Sequence, residues 1–141
     1  MKYTKLKGYD YRAYEDETIQ TGFTIDLLRH TAPGIYDHPF FTINASGIIT
    51  VKKGYAWDGA SWCPDFRWII RGSKFHDVGY QCGRMDVIPD TYRIKFDELL
   101  RKMCIEDKAW KWQADVVYNA VRIGASAAWT SKDNVEILEA P

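Results

Sequence analysis

The period of the hydrophobic pattern changes once along this chain, and that change constrains the fold more than any motif does. Through the first sixty residues the apolar positions fall in short β-branched and aromatic runs. "FFTINASGIITVKKGYAW", residues 40–57, holds two such runs separated by Asn-Ala-Ser-Gly, which predicts a β-hairpin. "TIQTGFTI" upstream is a candidate strand, and "HTAPGIYDHP", punctuated by Pro33-Gly34 and Pro39, predicts a loop. From residue 73 the period becomes helical. Ser73 is the expected N-cap of a short helix over "KFHDVGYQC", with Gly83 stopping it. A second helix is expected from near Asp90-Thr91, with Tyr92, Phe96, Leu99, Leu100 and Met103 on one face. A third is expected from about Ala109 to Trp129. There Gln113, Val117, Ala120, Val121, Gly124 and Ala128 form a small-residue stripe suited to close helix contact. The expected fold class is α+β: a small N-terminal antiparallel sheet or hairpin, then three helices. The 141 residues suit one domain, with 131–141 as a surface tail.

Charge narrows the function classes. Basic and acidic residues balance locally as well as overall: seven of each in 1–60, eight of each in 61–107 and four of each in 108–141. Without a basic stripe, a nucleic-acid backbone is disfavoured as partner, and so is an anionic membrane surface. No apolar run is long enough to cross a bilayer, and no apolar core follows the first lysines as it would in a secretory leader. The three cysteines, Cys63, Cys82 and Cys104, lack C-x-x-C spacing and point to a reducing compartment. Cys63, His76 and Cys82 match no common zinc module.

Chemistry concentrates in "GYAWDGASWCPDFRWIIRGSKFHDVGY", residues 54–80. Asp58-Gly59-Ala60-Ser61 reads as a turn in which Asp58 and Ser61 bond local backbone. It also reads as a loop aiming Asp58 into a pocket walled by Trp57, Trp62 and Trp68, which suits a sugar or an amphiphile. His76 and Tyr80, at i and i+4, share a helix face, while Asp77 is turned about 100° away, toward a loop or an ion. An antiparallel second helix would offer Asp97 to one nitrogen of His76 and leave the other free to take a proton from water. The same residues also make a structural network, the commoner outcome for a lone His-Asp pair, with His76 satisfied by Asp97 or Tyr80.

The ordered set "VKKGYAWDGAS", "FHDVGY", "KFDELL" and "VVYNAVRIGASAAW" resembles an uncharacterised bacteriophage and prophage family, domain of unknown function 1353. Matching positions are Gly54, Tyr55, Asp58, Gly59, Ala60, Ser61, Pro64, His76, Asp77, Tyr80 and Asp97, then Tyr118, Val121, Arg122, Gly124 and Trp129. Trp62-Cys63 departs from the family's aliphatic residue before Pro. The resemblance implies a phage context and supplies no activity. His-Asp-x-x-Tyr on one helix with an Asp on the next is also similar to secreted phospholipases A2. That similarity implies His76 as base, Asp97 as its orienter and Asp77 as ligand to Ca2+. The paired-glycine calcium loop and disulfide framework of those enzymes are absent.

Two functions fit these residues. One is a phage-encoded hydrolase of a cell-envelope component, with His76, Asp97 and Asp58 catalytic, Trp57, Ser61, Trp62 and Tyr80 binding, and Asp77 holding Ca2+. The other is a virion-associated structural or protein-binding module in which the same residues lock a loop onto helices. Either places the chain in the host cytoplasm or the virion, with phage proteins, host proteins or envelope components as partners.

Overall fold

The computed structural model describes residues 3–5, 11–58 and 66–130. Its strands are β1 (Tyr3–Lys5), β2 (Tyr11–Ala13), β3 (Glu17–Gln20), β4 (Ile35–His38), β5 (Phe41–Asn44), β6 (Ile48–Val51) and β7 (Ala56–Trp57). The helices are α1 (Arg67–Arg84), α2 (Arg93–Glu106), α3 (Lys111–Gly124) and α4 (Ser126–Thr130), with a 3-10 turn at Asp90–Tyr92. The α+β class and the order of its halves are as the hydrophobic period predicts. All pairings are antiparallel, in two sheets rather than one: β1-β2-β7, and β3-β6-β5-β4.

The hairpin expected over 40–57 is β5–β6. Asn44 Oδ1 accepts hydrogen bonds from the Ile48 amide at 2.9 Å and from Ser46 Oγ at 2.7 Å, closing the turn. Gly47 stands at φ +90°, where a side chain would meet the Phe23 carbonyl, so only glycine fits. Phe41, Ile43, Ile49 and Val51 point inward and are fully buried. On the other face Thr18 and Thr50 share a hydroxyl hydrogen bond across strands at 2.8 Å. The segment expected to be a loop at 30–39 contains β4. Gly34, at φ +73°, turns the chain so that Ile35 to His38 pair with Asn44 to Phe41.

Helix α1 is the centre of the molecule, and two expectations about it are corrected. It begins at Arg67, not after Ser73. Ser73 lies inside it, where its hydroxyl donates back to the Ile70 carbonyl at 2.7 Å and accepts from Trp57 Nε1 at 3.1 Å. Nor does Gly83 end it. The helix runs on to Arg84, and Asp86 takes the left-handed conformation at φ 56°. Glycine at 83 serves packing instead. Gly72, Gly79 and Gly83 line one stripe of α1, against Leu100, Phe96 and Trp129, and a Cβ at 79 or 83 would overlap those rings. The closest approach to neighbouring helices is therefore made by glycines of the first helix, while the third packs on α2 through only part of its expected stripe, Val117 and Val121. On α3 it is Ala114, Val117 and Val121 that are buried, while Gly124 faces open space and the chain breaks there into α4.

Ion pairs dock the second sheet on α1. Glu17 of β3 receives Lys74 Nζ and, at 2.7 Å, Arg71 Nε; Arg71 also reaches Asp107 at 3.4 Å. Burial would lower the Lys74 ammonium, and Glu17 only partly offsets this. No helix among the described residues is long and apolar enough to cross a membrane.

Candidate functional site

Helix α1 presents two polar faces side by side. His76 and Tyr80 sit one turn apart, their ring centroids 4.2 Å apart and their planes tilted by 35°, and face α2. There Asp97, fully buried, meets both: His76 Nε2 lies 2.7 Å from Asp97 Oδ1, and the Tyr80 hydroxyl donates to the same oxygen at 2.7 Å. Arg122 of α3 donates to Asp97 Oδ2 at 2.8 Å. Arg93 supports the cluster from α2. Its Nε donates to the Tyr80 oxygen at 3.0 Å and its Nη2 to the carbonyls of Val121 and Arg122 at 2.8 and 3.0 Å, near the negative end of α3.

The protonation of this cluster follows from its charges. Burial would raise the Asp97 carboxyl, but the hydrogen bonds and charge of His76, with Tyr80 and Arg122, hold it below the usual carboxylate value. An ionised carboxylate only accepts, so the proton between the two groups sits on His76 Nε2. In the neutral ring Nδ1 then carries the lone pair, and it makes no hydrogen bond to the described residues. His76 is 8% exposed. Burial and Asp97 push the Tyr80 phenol well above its ordinary value, so it stays a donor.

The second face holds the carboxylate pair. β7 ends beside α1, and the Asp58 main-chain amide donates to the Asp77 carboxylate. Burial first, and the nearby Asp58 charge second, raise the Asp77 carboxyl to about 8. Tyr55 and Gln81 adjoin it, the phenol donating to Gln81 Oε1 at 3.2 Å. Because Asp77 keeps in the folded state a proton that the unfolded chain releases near 3.8, it costs stability as pH rises from about 4 to 8. Asp77→Asn should therefore melt like the parent below pH 4 and gain on it progressively up to pH 8. A melting series in which the variant is no more stable at pH 9 would contradict this placement.

The expected site residues thus fall into two groups. His76, Tyr80 and Asp97 meet, and Asp58 meets Asp77. Trp57 is a core side chain, buried beside Tyr11 and Tyr55 with its indole on Ser73. Ser61 and Trp62 lie outside the described residues. Arg93 is not among the residues the sequence singles out; Arg122 is named there only as a position of the family pattern, with no role assigned. Among the described residues no three His, Cys, Asp or Glu side chains gather to hold a metal ion. No family model, curated protein or solved structure matches the chain.

Proposed function

We propose that the chain is a phage-encoded accessory protein that hydrolyses an ester or glycosidic bond of a cell-envelope component, with His76 as general base. One observation carries this reading: His76 Nε2 is held at 2.7 Å by Asp97, which is fully buried, so in the neutral ring the nitrogen left to act as base is Nδ1. His76 takes a proton at Nδ1 from the water whose oxygen bonds to the reacting carbon, and the imidazolium, fixed and stabilised by Asp97, gives that proton to the leaving oxygen as its bond to the carbon breaks. Tyr80, Arg93 and Arg122 hold Asp97 in place. A divalent ion here would have to displace the proton that Asp77 keeps to about pH 8; Asp58 and Asp77 would then supply two of the six to eight oxygens that calcium takes. An ion held by Asp58 and Asp77 would supply Lewis-acid polarisation of a substrate oxygen from the face of α1 next to that of His76. The phage context rests on the family resemblance, and host cytoplasm or virion is the site of action it implies.

A second reading has its own support. Asp97 accepts three side chains from two neighbouring helices, which is what a purely structural knot between α1, α2 and α3 requires. His76→Gln separates the two, because the amide keeps a hydrogen bond to Asp97 and cannot act as a base. Hydrolysis of p-nitrophenyl esters, phospholipid vesicles and peptidoglycan, with and without calcium, should fall by about 10²–10⁴-fold in His76→Gln while the melting temperature barely moves. A parent protein inactive on every substrate, or a variant as active as the parent, leaves only the structural knot.

A further inference from the structure

Helix α3 wears an apolar strip on the side facing away from the core. Trp112, Val116 and Ile123 are 60%, 58% and 83% exposed, and Trp110 at the helix entrance is 68% exposed. At about 100° per residue the first three fall within roughly 40° of one another, along about 16 Å of helix. The two indoles stand together, ring centroids 6.3 Å apart. Singly exposed apolar residues need no explanation; two adjoining exposed tryptophans with Val116 one turn on and Ile123 beyond the exposed Asn119 on the same face do.

The charges around the strip select its partner. Lys108 and Lys111 flank the tryptophans and form no ion pair with the described residues. The acids next to them in the described sequence are engaged elsewhere: Asp107 and Glu106 on Arg71 at 3.4 and 3.6 Å, and Asp115, one turn along from Lys111, on Arg101 at 2.6 Å. Even charge counts along the sequence conceal this local excess. The strip offers on the order of 500 Å² of apolar surface, short of the roughly 800 Å² per partner of a stable protein interface. A bilayer needs only a few inserted side chains, with indoles at headgroup depth and lysines against anionic lipid.

We infer that α3 docks on an anionic lipid surface, lying in the interface with Trp110, Trp112, Val116 and Ile123 inserted and Lys108 and Lys111 on the headgroups. The inference stands whether or not His76 is a base. Co-sedimentation with phosphatidylcholine vesicles, plain or containing about a third phosphatidylglycerol, tests it. Binding is expected to the anionic vesicles and to weaken with salt. Lys108→Gln/Lys111→Gln should lower the partition coefficient by roughly 25-fold, from about 1 kcal/mol per lysine. Trp112→Ala/Ile123→Ala should lower it at least as much, with the circular dichroism unchanged. Leu28→Gln, an equally exposed apolar position outside the helices, should change nothing. Equal binding to both vesicle types, no binding to either, or binding indifferent to the α3 variants overturns the inference. So does a dimer in sedimentation velocity that Trp112→Ala dissolves, which would make the strip a protein interface.

Discussion

Asp97→Asn should cost about 3 kcal/mol at neutral pH, toward the lower end of the range for breaking a buried ion pair. The carboxylate is fully buried and neutralises Arg122 while accepting from His76 and Tyr80. An amide of the same shape leaves Arg122 without its counter-charge and turns an NH2 toward one of three donors. The Arg122 side chain is 32% exposed, so water screens part of the loss. For a chain of this length the melting temperature should drop by roughly 10 °C. The penalty has a defined pH dependence. Asp97 titrates below its ordinary value in the folded protein, so its contribution is complete above about 3.8 and is lost as pH falls through the lower, folded value. Parent and variant should therefore converge in acid. Equal stability at pH 7, measured by urea titration, would mean that the cluster is not formed as described.

Trp129→Ala should destabilise by about 3–5 kcal/mol, the usual cost of deleting a buried Trp or Phe side chain. Trp129 is 1% exposed, lies edge-on to Tyr80 with centroids 5.1 Å apart, and donates its indole N–H to Asp90 at 2.8 Å. It rests on Gly83, where a Cβ would overlap the ring. This contact predicts a reversal of sign. Gly83→Ala should destabilise the parent, because the rigid indole cannot yield. In the Trp129→Ala background the clash is gone, and the same substitution should stabilise by up to about 1 kcal/mol through helix propensity. Additive effects in the double mutant would show that Gly83 and Trp129 do not touch. The Tyr80 hydroxyl belongs to the Asp97 cluster, so Trp129→Ala should also weaken that cluster.

Much of the site was legible because it is local. His76 and Tyr80 share a face through helix geometry alone, and Asp97 reaches them once two helices joined by "GRMDVIPD" run side by side. The β5–β6 hairpin was legible for the same reason, since Asn44 and Gly47 specify its turn within four residues. Local reasoning failed where one residue type serves two ends. Ser73 has the chemistry of an N-cap and Gly83 that of a helix stop, yet both sit inside α1, one beneath Trp57 and one beneath Trp129. Arg93 carried no local signal, and Arg122 only its place in a motif with no role attached, because their partners are 13 and 25 residues away.

By itself the sequence determined the class of fold, the order of its β and α halves, and which side chains can stand together on one helix face, since each of these depends on spacing within a few turns. Only the tertiary structure decided which charges are neutralised and which glycines are contact points. Ion pairing and close packing depend on distances between segments far apart in the chain. Those distances leave Lys108 and Lys111 without an acidic partner among the described residues, beside two exposed tryptophans, in a chain whose charges, counted along its length, balance.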